Sequence, residues 1–331
     1  MSEKNPTVSV IIPTYNRVHL IRRAIQSVLN QTYQDFEVII VDDGSTDNTE
    51  EVVKSFNDPR IRYIRHEKNK GAATARNTGI KAARGKFIAF QDSDDEWLPE
   101  KLEKQMKVFE NTPAKVGVVY TGFWKIENNK KIYIPFSWVK QKEGNIHKEL
   151  LKGNFVTTQS IIARKECFKK VGMFDERLPR FQDWELVIRL SKYYNFKYID
   201  EPLLISYYTS DSISANKDAF IRALKLILSK HFNDFAEDKK LLSKHYFNIG
   251  HNLCLNNNFK EGRNYLIKAV KTYPFNIKYL LAIFLSFFGQ SVYNKATEIY
   301  RKLKSGIKNK NYELSQSGNH NSQLQRLARY N

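Results

Sequence analysis

Cysteine is scarce in this 331-residue chain: only Cys167 and Cys254 are present. They lie far apart and match no metal-ligand spacing, which argues against a cysteine-bound metal and for packing roles in a reducing compartment. Long hydrophobic runs are missing too. The longest apolar stretch, residues 279–289, is about half of the roughly 20 residues that a membrane-spanning helix needs. Residues 1–7 are polar and show no signal-peptide pattern, so the sequence reads as cytosolic, with peripheral attachment at the inner face of a membrane left open. None of the 7 histidines forms a His-x-x-x-His pair, so they are read as surface or packing residues. After the first apolar run stands Pro13-Thr14-Tyr15-Asn16, not Gly-x-Gly-x-x-Gly, which argues against a dinucleotide-dependent oxidoreductase.

Acidic residues are also few, 35 against 54 Lys and Arg, for a net charge of +19. The shortfall is local. Residues 213–331 hold 20 basic and 7 acidic side chains, whereas residues 1–212 hold 34 and 28. A solvated basic face accounts for this, and so does docking to an anionic membrane surface or an acidic acceptor; nucleic acid is not expected.

Against these absences, 41% hydrophobic and 27% charged residues are ordinary for a globular protein, and the length allows one large domain with a smaller appendage. Short β-branched runs alternate with helical segments in the first half, the pattern of crossover units. Strands are expected at 8–12, 36–41, 61–64, 86–90, 116–123, 158–163 and 203–208. Helices are expected at 20–29, 72–83 and 183–193, with Pro99 in the first turn of another. The fold class is therefore α/β, a Rossmann-like mixed, mainly parallel sheet, over residues 1–212. A helical region follows over 213–305, then a loose basic tail over 306–331. Within the helical region Tyr246, Ile249, Gly250, Leu253, Gly262, Leu266, Ala269 and Pro274 approximate tetratricopeptide spacing. A shift of 34 residues gives a degraded copy at Leu280, Ile283, Phe287, Ala296 and Tyr300. Residues 279–288 are expected to be the core of a helical hairpin.

In open α/β sheets ligands bind beyond the carboxyl ends of the strands. Those ends carry Pro13-Thr14-Tyr15-Asn16-Arg17, Asp42-Asp43-Gly44-Ser45 and Asp92-Ser93-Asp94. Singly, the second is a good turn and helix cap and the third an acidic turn; together, at successive strand ends, they mark a site. Residues 92–96 hold four acidic side chains and no basic one, a repulsion that a divalent cation would relieve. Carboxylates suit Mg²⁺ or Mn²⁺, which bind through one or two of them plus substrate phosphates.

Taken with Gly71-Ala72-Ala73, Ala75-Arg76-Asn77, Gly79, Phe174-Asp175-Glu176 and Gln182-Asp183-Trp184-Glu185-Leu186, these motifs resemble family 2 glycosyltransferases of the GT-A fold over roughly residues 6–210, in the family's order. The resemblance implies a nucleoside-diphosphate-sugar donor, usually UDP-linked, and inversion at the anomeric carbon, with Mn²⁺ or Mg²⁺ as cofactor. It also implies that Pro13 and Tyr15 line the nucleotide pocket and that Asp43 accepts from the base. Lys70 and Arg76 approach the nucleotide or diphosphate. Asp92 contacts ribose, sugar or metal; Asp94 binds the metal, with Asp95 as substitute; and Asp183 is the catalytic base. Gln182 stands where the family commonly has Glu, which leaves the base intact but removes a neighbouring charge. Asp183 as a helix N-cap and Trp184 as plain core are the competing structural roles, Trp184 otherwise serving the acceptor pocket. Arg180 is close enough in sequence to meet a phosphate. A glycan or lipid-linked acceptor is typical of the family; the donor sugar is not readable. A sugar nucleotidyltransferase would need a glycine-rich basic loop after the first strand, which is lacking. A non-catalytic scaffold working through the basic helical region is the remaining alternative.

Overall fold

The computed structural model describes residues 5–128, 130–207 and 216–303. The chain divides into two compact units, Met1–Lys230 and His231–Asn331.

The first unit begins with β1 (Val8–Thr14), α1 (Ile21–Leu29), β2 (Phe36–Asp42), α2 (Thr49–Lys54), β3 (Ile61–Arg65), α3 (Ala72–Ala82) and β4 (Phe87–Phe90). It continues with β5 (Glu96–Trp97), α4 (Lys101–Glu110), β6 (Val116–Glu127), β7 (Lys130–Ile134), α5 (His147–Lys152), β8 (Ile161–Arg164) and α6 (Lys165–Val171). The helix α7 (Gln182–Ser191), β9 (Asn195–Tyr207) and α8 (Lys217–Lys230) complete it. Every residue of β1 and β2 is buried, as near-continuous apolar runs covered on both faces require. The exceptions are matched in pairs. Ser9 Oγ donates to Glu37 Oε1 at 2.7 Å, and Arg62 and Arg84 reach Glu37 Oε2 at 2.8 and 3.1 Å. Burial pushes the Glu37 carboxyl up, but the bonds from Arg62, the Arg84 backbone and Ser9 outweigh it and the net shift is down.

The sheet has nine strands among the described residues, in the order β3-β2-β1-β4-β8-β6-β9-β5, with β7 on β6. It is mixed, as expected. The parallel joins are β3 to β2, β2 to β1, β1 to β4 and β6 to β9; β8 runs antiparallel to both β4 and β6, β5 to β9 and β7 to β6. Thr14 lies opposite Asp42 and Ile11 opposite Phe90, so the ends of β1, β2 and β4 share one edge. That edge lies where the parallel run meets β8, the kind of switch that opens a crevice.

Two expectations shift in position. The strand expected at 158–163 starts as a 3-10 turn, Thr158–Ser160, because Ser160 N–H and Oγ both donate to Thr157 O, at 3.0 and 2.7 Å. The last strand begins at Asn195, not near 203, and Tyr208 lies outside the described residues. The first unit runs through α8, beyond the boundary at residue 212 that the sequence suggests. Its last residue explains the grouping: Lys230 Nζ reaches Glu185 Oε1 at 2.6 Å and Asp175 Oδ2 at 3.0 Å. The tail at 306–331 lies outside the described residues.

The second unit holds α9 (Phe232–Ala236), α10 (Lys239–Leu255), α11 (Phe259–Thr272) and α12 (Ile277–Leu285), and the chain is helical again over 290–303. Asp238, Asn258 and Asn276 cap α10, α11 and α12 with their side chains. A methyl on Gly250 would sit 2.8 Å from Gly262 O, so the absent side chains let α10 and α11 approach closely. Phe247, Cys254, Leu266, Ala269, Tyr279, Ala282 and Tyr293 form its core. Of the two spaced copies, Ile249, Leu253, Leu266 and Ala269 in the first are buried, but Leu280, Phe287 and Tyr300 in the second are exposed. The hairpin core expected at 279–288 is corrected accordingly: within it only Tyr279, Ala282 and Ser286 are buried, because α12 spans nine residues and presents one face inward. Among the described residues no helix is long and apolar enough to cross a membrane.

Candidate active site

A cavity of about 890 Å³ opens at the shared strand edge, lined by Pro13, Tyr15, Asp43, Arg76, Asp92, Asp94, Asp95 and Asp183 among others. Of the nucleotide, metal and base residues expected from the sequence, Lys70 does not line it, and neither does Trp184, the expected acceptor-pocket residue. Lys70 is exposed, and its part is played by its backbone.

The floor is two strand-end loops locked together. Asn16, at φ +51°, donates its N–H to Ser45 Oγ at 2.9 Å, and Thr46 N–H donates to Asn16 Oδ1 at 2.8 Å. Asp42 Oδ1 accepts from Ser45 N–H at 2.8 Å, closing the turn. Gly44, at φ +81°, is required on two counts: the left-handed backbone and a Lys68 carbonyl carbon 2.8 Å from where a Cβ would stand. Gly44→Ala should therefore lower the unfolding free energy by about 1–3 kcal/mol, measured by chemical denaturation.

Asp43 is buried and heavily occupied. It accepts from Lys70 N–H at 2.9 and 3.0 Å and from Gly71 N–H at 2.7 Å, and His66 Nδ1 lies 2.7 Å from it. It thus holds the loop leading into α3, whose first turn has no acidic residue and meets the cavity through Gly71, Ala72 and Ala75. A helix N-terminus in that position favours an anion.

On the acidic wall the tertiary structure changes the sequence argument. No basic residue lies inside residues 92–96, yet Arg76 arrives from α3: its Nη2 donates to Asp92 Oδ1 at 2.7 Å and its Nη1 to Gln182 Oε1 at 3.0 Å. Arg76 is therefore a bridge across the cavity floor, with both terminal nitrogens engaged. Arg23 Nη2 donates to the Asp94 carbonyl. Asp95 is turned toward β9 and accepts from Tyr207 N–H at 3.0 Å; burial first, then the charges of Asp92 and Asp94, push its pKa well up.

Among the described residues no three His, Cys, Asp or Glu side chains group as a metal site. Two cavity-lining carboxylates, Asp92 and Asp94, are chemically suited to an open Mg²⁺ or Mn²⁺ site completed by phosphate and water, and the like-charge pressure on Asp95 is what such a cation would relieve.

Asp183 stands in the first turn of α7, whose N-terminal flanking residue is Phe181; capping by Asp183 is not what the structure has. Phe181 is at φ +60°, unusual for a bulky side chain and of the kind retained at functional sites. Its ring meets Trp184 and Phe220 edge-on at 5.6 and 5.5 Å, and Arg180, also in the cavity wall, lies over both Phe181 and Phe220 at 4.7 and 5.1 Å. Trp184 is buried, with Nε1 donating to Leu150 O at 2.7 Å, so its role is core and not acceptor platform. The Asp183 carboxylate accepts from Asn154 Nδ2 at 2.9 Å and from Trp184 N–H at 2.8 Å. Burial raises its pKa; the Asn154 bond, the Trp184 N–H and Arg76 pull it down, Asp92 adds to the rise, and the net shift is up.

Asn154 escaped the sequence reading. It sits two residues beyond α5 with no motif around it, and nothing local signals a contact 29 residues away. Both Asn154 and Thr157 line the cavity, and Asn154 Oδ1 and Thr157 Oγ1 are buried without a protein partner.

The family model for glycosyl transferase family 2 matches residues 9–172. The Escherichia coli UDP-Glc:alpha-D-GlcNAc-diphosphoundecaprenol beta-1,3-glucosyltransferase WfgD is 32% identical over 82% of this chain and 96% of its own. The chain spans 70% of an uncharacterized glycosyltransferase of Methanocaldococcus jannaschii but only 29%, 47% and 51% of three from Rickettsia. Among solved structures, S. aureus TarS 1-349 in complex with UDP-GlcNAc aligns with TM-score 0.66 at 20% identity, over 89% of this chain and 92% of that one. The Pyrobaculum calidifontis mannosyltransferase PcManGT in complex with GDP-Man and Mn²⁺ aligns with TM-score 0.54 at 18% identity, over 82% and 74%. At these identities the structural likeness establishes the fold.

Proposed function

The chain belongs to glycosyltransferase family 2, and from that premise we propose that it transfers a sugar from a UDP-linked donor to a hydroxyl of a lipid-linked glycan, with inversion. A sugar nucleotidyltransferase and a non-catalytic scaffold fall away with the family assignment. The observation that carries the reading is a single cavity with acidic strand-end carboxylates on one wall, the lone carboxylate of Asp183 on another, and Arg76 tying Asp92 to the residue before Asp183.

In this reading Pro13 and Tyr15 flank the nucleotide, and Asp43 shapes its pocket by holding Gly71 and the start of α3 against the diphosphate. The acceptor oxygen forms its bond to the anomeric carbon as its proton passes to the Asp183 carboxylate. The bond from that carbon to the diphosphate oxygen breaks, and its electron pair leaves on UDP. Displacement in one step places the new bond on the face opposite the old one. Asp94 and Asp92 would hold a divalent cation, which would supply counter-charge for the departing diphosphate. Asn154 orients the base and, with Thr157, offers oxygen acceptors to the incoming glycan. The UDP preference and lipid-linked acceptor draw support from WfgD and from TarS bound to UDP-GlcNAc.

The test is a panel of UDP-, GDP- and dTDP-sugars with and without Mn²⁺, read by thermal stabilisation and then by transfer to a diphospholipid-linked N-acetylhexosamine. A UDP-sugar should stabilise the protein in a metal-dependent way, and product NMR should show the opposite anomer from the donor. Stabilisation by GDP-sugars alone would remove the donor class; a retained anomer would remove the one-step mechanism.

Asp183 also sets a pH dependence. A base must be ionised, so a raised pKa moves the acid-side fall of kcat/KM above the ordinary carboxylate range. Asn154→Ala deletes a bond that favours the ionised form and should move that fall to still higher pH, with donor affinity unchanged. An identical profile in the two proteins would separate Asn154 from the base.

A further inference from the structure

The second unit turns apolar side chains to solvent in an ordered way. Ile277, Leu280, Leu281, Phe284 and Phe288 recur at the spacing of one helical face on and just beyond α12. With Phe275 they are between 49% and 86% exposed. The opposite side of the same helix places Tyr279 and Ala282 in the core. A short helix that is apolar on both sides has a second apolar neighbour still to meet.

The charge around this face says which. Between Glu261 and Glu298 the sequence has no Asp or Glu and five Lys or Arg. The Arg263 guanidinium lies 4.8 Å over Phe287 and donates to Ser286 O at 3.0 Å, so it stands at one end of the face. At the other end the exposed Lys278 has its ammonium 4.6 Å over the Phe247 ring and 5.1 Å from the Tyr300 ring. Cations seated on the rim of an apolar stripe suit a partner that is negative at its surface and apolar just beneath. A second copy of this chain would bring like charge against like. Residues 304–331 would do the same, with five Lys or Arg and one Glu. Nucleic acid has the charge but no apolar layer.

We propose that the α12 face is a membrane-docking element that lies in the plane of an anionic lipid surface, its Leu and Phe side chains among the acyl chains and its Lys and Arg side chains at the headgroups. A nine-residue helix is about 14 Å long, suited to lying in the interface and far too short to span it. The inference rests on the second unit alone, so a failed transfer assay leaves it standing.

Co-sedimentation of the full chain with vesicles tests it. Phosphatidylcholine vesicles containing about one-third phosphatidylglycerol should bind at least tenfold more tightly than pure phosphatidylcholine, and the difference should shrink with salt. Leu281→Glu with Phe284→Glu should weaken partition by about tenfold per side chain. Both positions are exposed, so thermal stability and donor-induced stabilisation should stay as in the parent. Equal binding to the two vesicle types, or a double variant that partitions like the parent, overturns the proposal. So does a parent dimer that the double variant turns monomeric with vesicle binding intact, which would give the face to a second copy.

Discussion

Asp183→Asn should leave a protein that binds its nucleotide-sugar normally and transfers almost nothing. Donor affinity should survive because the hydrogen bonds of the carboxylate go to Asn154 and the Trp184 N–H and not to the loops after β1 and β2. An amide of the same shape has one oxygen, so it keeps one of the two bonds, from Asn154 or from the Trp184 N–H, and loses the ability to take a proton. General-base assistance is worth about 10²–10⁴-fold, and kcat should fall by that factor with little change in donor Kd. The measurement pairs kcat on a soluble acceptor analogue with donor binding by calorimetry. A kcat within a few-fold of the parent would remove Asp183 from the chemistry and leave it only the task of holding Asn154 and the first turn of α7.

The second large effect belongs to Asp94. Asp94→Ala should abolish the part of donor stabilisation that depends on Mn²⁺ and lower kcat/KM by roughly 10²-fold or more, since counter-charge at a leaving diphosphate is worth several kcal/mol. Removing divalent ions from the parent with a chelator should reproduce the same loss, and adding them back should rescue the parent only. The three neighbouring aspartates are not equivalent. Asp92 shares its carboxylate with Arg76 at 2.7 Å, and Asp95 is spent on Tyr207 N–H inside the protein. Asp95→Asn should consequently show itself as altered seating of β9, and Asp94→Ala as altered metal response. If Asp94→Ala keeps a parental response to Mn²⁺, the cation is held elsewhere.

Much of this was legible in order. The uninterrupted apolar run of β1 and the matching run of β2 announced strands buried on both faces. The polar turns after them announced where a ligand would sit. Both follow from local rules: burial is written into alternation and run length, and turn chemistry into Asp, Asn and Gly. The same rules read α12 less well. Its apolar density suggested interior, yet a helix nine residues long has only one face that the α10 and α11 pair can cover.

What the sequence alone determined is therefore the strand-end edge and its acidic tip, because each depends on neighbours within a few residues; the base candidate came with the family resemblance. The partners of those groups were decided only in three dimensions. Arg76 meets Gln182 across 106 positions and neutralises an aspartate that looked unopposed; Asn154 finds Asp183 across 29; Asp43 reaches across 28 to clamp the loop that leads into α3. The physical reason is that an ion pair or hydrogen bond is fixed by distances of about 3 Å, and which side chains come that close is set by strand order and crossovers. Spacing along the chain does not record either.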